Sequence, residues 1–142
     1  MKINAFIPVR MSSSRFPGKP LTKLMKMTML EHVWRRTKMS DVDETYVALC
    51  DKETIDICKK IGAKYIITSK KHEMCMDRIA EASNKKKSDI IVTVQGDEPL
   101  ITPQMINLTI KKLLKKKMNY FALHLHKKLY QNRKLIIQIE LK

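Results

Sequence analysis

The residues best suited to chemistry lie in a loop that follows a short apolar segment at the start of the chain. From residue 8 to residue 20 this loop reads Pro-Val-Arg-Met-Ser-Ser-Ser-Arg-Phe-Pro-Gly-Lys-Pro. Its cations, Arg10, Arg15 and Lys19, can neutralise several negative charges, and its hydroxyl and backbone N–H groups can bind phosphate oxygens. The loop is neither a P-loop nor a GxGxxG fingerprint, because its only glycine is Gly18. It predicts a phosphate-binding loop of another kind, with a solvated basic loop as the alternative.

A second group of chemically useful residues reads Gln-Gly-Asp-Glu-Pro from residue 95 to residue 99. The carboxylate of Asp97 can coordinate Mg²⁺, an ion that takes few carboxylates and fills its other positions with phosphate oxygens and water. Gly96 lets the backbone turn sharply and come close to a ligand. A Gly-Asp turn that only caps the following helix is the alternative interpretation.

Both loops need a scaffold, and the apolar pattern predicts one in which strands alternate with helices. Short apolar segments predict buried strands at Ile3–Pro8, Thr45–Leu49, Lys64–Thr68 and Asp89–Val94. Helical spacing predicts helices over Met29–Met39, from Asp51 as N-cap to Gly62 as the stop, over Asp77–Ser83, and from Pro103 onward. This alternation is typical of βαβ units. We therefore expect a Rossmann-like α/β fold, with a mostly parallel sheet flanked by helices.

Parallel sheets of this kind bind ligands beyond the carboxyl ends of their strands. The two loops described above each follow a predicted strand, so we expect them to meet at one edge of the sheet. The segments after the other two strands, Cys50–Asp51 and Ser69–Arg78, should lie beside them.

The charge balance invites a nucleic-acid interpretation, since 29 Lys+Arg against 14 Asp+Glu give +15 over 142 residues. However, residues 111–142 alone carry ten basic side chains and one acidic side chain. Aromatic residues make up only 6% of the chain, and no nucleic-acid-binding motif is present. We expect no nucleic-acid partner, and a basic nucleic-acid-binding module is the less favoured alternative.

The apolar residues and the cysteines indicate a compartment. No apolar run approaches the roughly 18–20 residues that span a bilayer, and the N-terminus lacks the apolar run of a signal peptide. Three cysteines, without CxxC spacing, favour reduced thiols over disulfides or a zinc site. These features predict a cytoplasmic protein with no membrane insertion.

Two motifs carry a resemblance to a known family. Residues 7–21, Ile-Pro-Val-Arg-Met-Ser-Ser-Ser-Arg-Phe-Pro-Gly-Lys-Pro-Leu, closely resemble the first signature of the sugar-acid cytidylyltransferases, in particular those of the 3-deoxy-manno-octulosonate (KDO) type. The Gln-Gly-Asp-Glu-Pro segment resembles the second signature, at about the expected distance. The resemblance implies a nucleotide-diphospho-sugar transferase fold.

The resemblance also implies roles for individual residues. Arg10, Arg15 and Lys19 would hold the triphosphate of CTP, and Ser13 and Gly18 would shape the loop around it. In the second motif, Asp97 would bind Mg²⁺ and Gln95 would contact the sugar acid. The residues implied to take part in catalysis are Lys19, Arg10 and Asp97.

A third stretch agrees with the family only in part. His72, Asp77, Arg78 and Ala80-Glu81 fit a family segment that reads His-Gln-Ser-Gly-Thr-(Asp/Glu)-Arg-Leu-Ala-Glu, and Arg78 is the expected nucleotide-side contact. Residues 73–76 are Glu-Met-Cys-Met where Gln-Ser-Gly-Thr is common. Residues 48–50 are likewise Ala-Leu-Cys where the family has Ala-Thr-Asp. We interpret His72 as a packing residue of the loop rather than a catalytic one.

The activity implied by the resemblance is transfer of CMP from CTP to a sugar acid, most naturally KDO, with release of pyrophosphate. Such enzymes use Mg²⁺ and supply precursors for surface polysaccharide and lipopolysaccharide. Full-length members form homodimers. The alternative function is a catalytically impaired nucleotide-binding fragment.

The resemblance extends from about residue 3 to about residue 114, and family members are much longer. We divide the chain into a CTP-binding nucleotidyltransferase region, residues 1–117, and a divergent basic tail, residues 118–142. The tail contains no aspartate, so the second metal ligand of the family is missing from it. Three origins of this chain are possible: a frameshifted or truncated reading frame, a piece of a longer protein, or a shortened protein with a new tail. A strand at Lys134–Leu141 is expected from its alternation.

Overall fold

A computed structural model describes residues 1–12 and 15–115 with their side chains, and residues 135–139 by their backbone. Its five-stranded sheet consists of β1 (Ile3–Pro8), β4 (Glu44–Leu49), β5 (Tyr65–Ile67), β6 (Ile90–Val94) and β7 (Leu135–Ile139). Two further strands, β2 (Lys23–Leu24) and β3 (Met27–Thr28), form a small hairpin. The helices are α1 (Met29–Lys38), α2 (Lys52–Ile61), α3 (Cys75–Asn84) and α4 (Pro103–Lys115), with a 3₁₀ turn at Lys19–Leu21.

The five strands lie in the order β5-β4-β1-β6-β7, and every neighbouring pair is parallel. This confirms the predicted fold class. All residues of β1 and β6 are buried, which explains why these segments, apart from Asn4 and Thr93, are apolar rather than alternating. The central position of β1 brings the ends of β4 and β6 to either side of its own carboxyl end.

Helices cover both faces of the sheet. On one face, apolar residues of α1, α2 and α4, among them Leu30, Cys58 and Ile106, pack against the strands. On the other face, Ile79 and Ala82 of α3 pack against Phe6 and Ile91. None of the helices in the described ranges is long and apolar enough to cross a membrane.

The differences from the predicted elements are local. Strand β5 is shorter than Lys64–Thr68, and α3 begins at Cys75, two residues earlier than expected. The hairpin of β2 and β3 was not predicted, because two-residue strands are too short to show alternation. Its turn also lacks glycine, and Met25 takes up the positive φ of 58° instead. Gly62 ends α2 as expected, with a φ of 72°.

The strand expected at Lys134–Leu141 is present as β7. It pairs with β6 in parallel register, from Ile90 opposite Leu135 to Val94 opposite Ile139. The remainder of the predicted tail, 118–134 and 140–142, lies outside the described residues. The boundary after residue 117 therefore stays a prediction.

The N-terminus of α1 is capped by one hydroxyl group, and removing this group tests how much the cap stabilises the fold. The Oγ1 of Thr28 accepts a hydrogen bond from the N–H of Glu31 at 3.2 Å, which caps the helix. Thr28→Val keeps the shape but loses the acceptor, so it should lower the free energy of unfolding by about 0.5–2 kcal/mol. Urea unfolding followed by the fluorescence of the buried Trp34 measures this. Thr28→Ser keeps the cap and should stay closer to the wild type, and an unchanged stability of Thr28→Val would contradict the cap.

Candidate active site

A cavity of about 630 Å³ opens at the carboxyl edge of the sheet, between the loops that follow β1, β5 and β6. Six of the residues predicted from the sequence line it, namely Arg10, Arg15, Lys19, Arg78, Gln95 and Asp97. Four of these six are cations, so the cavity suits a ligand with several negative charges. Ser13, also predicted to contact the ligand, lies outside the described residues.

The first and fourth loops meet in an ion pair at this cavity. The Nζ of Lys19 lies 2.6 Å from Oδ2 of Asp97, and the two side chains are 33% and 49% exposed. An ion pair of this exposure contributes at most about 1 kcal/mol to stability. A ligand that offers an anion to Lys19 and a cation to Asp97 can therefore separate the two groups at little cost.

Gly96 brings the fourth loop against the end of β1. A Cβ at this position would lie 2.6 Å from Cγ1 of Val9 and 2.8 Å from the carbonyl oxygen of Pro8. Any larger residue would push the two loops apart. The sequence predicted that Gly96 lets the backbone come close to a ligand; Gly96 does line the cavity, and in the structure it also lies against the end of β1. The reason for glycine here is space beside the neighbouring strand.

Both peptide groups of Met11, at the base of the first loop, form hydrogen bonds. The N–H of Gly18 donates to the carbonyl oxygen of Met11 at 2.9 Å, and Gly18 has a φ of 73°. Gly18 thus shapes the loop, although it does not line the cavity. The N–H of Met11 donates to Oδ2 of Asp51 at 2.8 Å.

This second bond corrects the prediction for Asp51. Asp51 is the N-cap residue of α2, as expected, but its side chain makes no capping hydrogen bond to that helix. Its carboxylate instead binds the N–H of Met11, 40 residues earlier, because the ends of β1 and β4 lie side by side. The N-cap position was readable from the sequence, whereas a partner 40 residues away had no local signal.

Arg10 reaches from the first loop to the third. Its Nη1 donates to the carbonyl oxygen of Glu73 at 2.9 Å, and both residues line the cavity. Gln95, from the fourth loop, also approaches the third loop, since its Nε2 lies 3.9 Å from Sγ of Cys75. The side chains of three loops therefore converge on one cavity, as the sheet topology predicts.

Arg78 is the most deeply buried cation at the site. Its side chain lines the cavity wall, although the residue is only 3% exposed. Its Nη1 donates to Oγ1 of Thr68, and within the described part of the chain it forms no ion pair with a carboxylate. Cys50 lies beside it. Burial raises the pKa of the Cys50 thiol, while the nearby guanidinium of Arg78 acts in the opposite direction.

Glu81 holds the third loop in place. Its Oε2 accepts hydrogen bonds from the N–H of Ser69 at 2.9 Å and from Nε2 of His72 at 2.7 Å. Its Oε1 accepts a third from Nζ of Lys85 at 2.7 Å. Partial burial raises the pKa of Glu81, but the bonds from Lys85, Ser69 and His72 outweigh it and lower the pKa to about 2. His72 thus stabilises the loop, in line with the packing role expected for it.

Comparison with known proteins agrees with this geometry. The sequence profile of the family described as "Cytidylyltransferase" matches residues 4–138. The chain belongs to the cytidylyltransferase family. The matched range continues past residue 117, where the divergent tail was predicted to begin.

Curated relatives of the chain carry the name 3-deoxy-manno-octulosonate cytidylyltransferase. The protein of Trichlorobacter lovleyi is 46% identical over 115 residues, which cover 80% of this chain and 46% of the relative. The protein of Geotalea uraniireducens is 47% identical over 114 residues, covering 80% of this chain and 45% of the relative. The chain therefore spans about half the length of the curated relatives it matches.

Solved structures give the same result. A CMP:2-keto-3-deoxy-manno-octonic acid synthetase in complex with CTP superimposes with a TM-score of 0.80 at 34% identity, covering 82% of this chain and 49% of that protein. A cytidylyltransferase of Leptospira borgpetersenii gives a TM-score of 0.73 at 30% identity, covering 82% and 50%.

The low pKa of Glu81 predicts how the stability of the third loop depends on pH. The folded pKa of about 2 lies below the ordinary value of 4.5, so ionised Glu81 stabilises the fold above pH 4.5, and this contribution disappears as the pH falls towards 2. Glu81→Gln should therefore lower the free energy of unfolding at pH 7 by about 1–2 kcal/mol, since the carboxylate is partly exposed.

Urea unfolding of both proteins between pH 7 and pH 3 measures this difference. We expect it to narrow below pH 4.5, and a constant difference over this range would contradict the assignment. Lys85→Met, which removes the exposed partner of Glu81 together with its bond to the carbonyl oxygen of Ile67, serves as the comparison variant and should cost less than Glu81→Gln.

Proposed function

We propose that this chain binds CTP and takes part in the transfer of CMP to a sugar acid, with 3-deoxy-manno-octulosonate as the expected acceptor. The observation that carries the proposal is the cavity at the carboxyl edge of the sheet, where cations from two loops face Gln95 and Asp97 from a third. The names of the curated relatives and the CTP complex of the similar synthetase support the choice of nucleotide and acceptor.

The triphosphate is assigned to the first loop. Arg10, Arg15 and Lys19 supply three positive charges on one wall of the cavity, which matches the charge of a nucleoside triphosphate. Arg78 is assigned to the nucleotide from the third loop, because its buried guanidinium has no carboxylate partner in the described residues. Gln95 is assigned to the sugar acid, and Ser13 to the phosphate loop.

The donor set suits a magnesium ion that arrives with the nucleotide. Among the described residues, no group of three or more His, Cys, Asp or Glu side chains could hold a metal ion by itself. One carboxylate, that of Asp97, faces the cavity next to the proposed triphosphate wall, and Mg²⁺ is commonly bound by one or two carboxylates together with substrate phosphates. When bound, Mg²⁺ would offset charge on the phosphates.

The proposed reaction is a displacement at phosphorus. A hydroxyl oxygen of the sugar acid forms a bond to the α-phosphorus of CTP, the bond from that phosphorus to the bridging oxygen breaks, and pyrophosphate leaves. The hydroxyl proton passes to solvent. Catalysis of such a step consists mainly of positioning and charge neutralisation. Arg10 and Lys19 offset the charge that develops on the departing pyrophosphate, and Gln95 orients the acceptor.

The chain matches only about half the length of its relatives, so the proposal has two forms, a complete enzyme and a nucleotide-binding fragment. Because the chain spans about half of its relatives, complete turnover, homodimer formation and a role in lipopolysaccharide precursor synthesis belong to the proposal for the whole enzyme. A nucleotide-binding fragment without turnover is the second candidate. It is favoured because the described cavity lining has only two carboxylate residues, Asp97 and Glu73, and the described residues hold no group of three or more metal-ligating side chains. A cytoplasmic location belongs to the proposal in either form, and the three free cysteines support it.

A CTP titration with and without Mg²⁺, followed by a pyrophosphate-release assay with KDO, tests the proposal. Lys19→Ala should slow pyrophosphate release by about 10²–10³-fold, because it removes a charge that faces the leaving group. Asp97→Asn should abolish the effect of Mg²⁺ on CTP binding. Lys23→Ala, which removes an exposed lysine outside the cavity, is the matched control and should leave both quantities unchanged.

Each outcome of this experiment has a defined meaning. CTP binding without pyrophosphate release in the wild type would favour the fragment over the complete enzyme. Full turnover by Lys19→Ala would refute its assigned role. Absence of CTP binding in the wild type would refute the proposed function as a whole.

A further inference from the structure

We propose that Asp51 is a positioning residue for phosphate binding, which it serves by holding the backbone of the first loop at Met11. Asp51 does not line the cavity, and its place at the start of α2 makes it look like an ordinary helix cap. This inference rests on the proposed binding of a nucleoside triphosphate and identifies what fixes the loop that would bind it.

The peptide groups of Met11 form the base of the loop. The Met11 carbonyl oxygen accepts the N–H of Gly18 at 2.9 Å, and the Met11 N–H donates to Oδ2 of Asp51 at 2.8 Å. The first bond closes the loop on itself, and the second ties its backbone to the start of α2, beside the bond from the N–H of Val9 to the carbonyl oxygen of Ala48 at 2.9 Å. Arg10 immediately precedes this anchor, and Lys19 follows the closing residue Gly18. A change in the Met11–Asp51 bond would therefore move both cations.

The carboxylate of Asp51 does not form the helix-capping hydrogen bond that its position before α2 predicts. An aspartate at this position ordinarily accepts an N–H of the first helical turn, a contact worth about 1 kcal/mol. In this structure the side chain makes no such bond, and the carbonyl oxygen of Asp51 binds the first turn of α2 by accepting hydrogen bonds from the hydroxyl of Thr54 at 2.7 Å and the N–H of Ile55 at 3.1 Å. The side chain is thereby left for Met11 and for the thiol of Cys50, at 3.5 Å.

The role of Asp51 depends on accepting a hydrogen bond and not on its charge. Both donors that reach Oδ2 are neutral groups, a peptide N–H and a thiol. A negative charge at the base of a phosphate-binding loop repels the ligand. An asparagine carbonyl oxygen in the same place would hold Met11 equally well and remove that repulsion. A serine can cap α2, which the Asp51 side chain does not do, but it is too short to reach Met11.

These arguments give a series of four variants. Binding of CTP and of inorganic triphosphate is titrated to the full chain carrying Asp51→Asn, Asp51→Ala, Asp51→Ser or Thr28→Val. We expect Asp51→Ala and Asp51→Ser to weaken binding of both probes by about tenfold, because the loop loses its preorganisation. Asp51→Asn should bind both at least as tightly as the wild type. Thr28→Val, which loses a helix cap outside the cavity, should be destabilised with unchanged affinity.

The series separates a positioning role from a structural one. Unchanged affinity in Asp51→Ala and Asp51→Ser would overturn the inference, and so would an equal loss in Asp51→Asn. Hydrogen exchange at the Met11 amide supplies a readout that needs no ligand: it should be slow in the wild type and Asp51→Asn, and fast in Asp51→Ser. If the wild type fails to bind CTP, the proposed function fails, while the Met11 exchange still decides whether Asp51 fixes the loop. If Asp51→Ala does not fold, Asp51→Ser, whose hydroxyl can cap α2, decides the question.

Discussion

The complete burial of β1 between β4 and β6 is the constraint on which the rest of the structure depends. A strand covered on both faces and paired on both edges has no freedom to shift its register. Its carboxyl end is therefore fixed relative to the ends of its neighbours, and the loops that leave those ends must share one small region. Residues that are 40 and more than 80 positions apart in the chain become neighbours there, as Met11 and Asp51 or Pro8 and Gly96 show.

The site is assembled from cross-loop contacts that are individually weak. Lys19 to Asp97, Arg10 to the carbonyl of Glu73, and Gln95 to Cys75 each link two loops at the cavity wall. Exposed contacts of this type add little to stability. The rigid sheet and the network around Glu81 supply the stability, so the cavity-facing side chains can exchange these partners for ligand groups without loosening the fold.

The sequence predicted the scaffold well and the supporting contacts poorly. The bounds predicted for Ile3–Pro8 match the observed ones because a strand buried on both faces has mostly apolar residues in succession. Arg10, Lys19 and Asp97 were found because cations and a carboxylate after strands carry a chemical signal of their own. Asp51 was misread because its cap position explained it locally, and the Glu81 network was missed because its partners come from a loop without periodicity. The hairpin around Met25 was missed because its two-residue strands are too short to show alternation.

The unusual environment of Arg78 has a consequence for the energetics of the whole domain. A guanidinium transferred from water into the protein loses hydration, and here a threonine hydroxyl and a neutral thiol replace a carboxylate in compensating for that loss. The guanidinium of Arg78 therefore leaves an uncompensated positive charge at the cavity wall. A bound anion that offsets this charge would act on the folding equilibrium as well as on the site, since it stabilises only the folded state. Ligand binding and the stability of the fold are thus thermodynamically linked through Arg78, a buried cation without a carboxylate partner among the described residues.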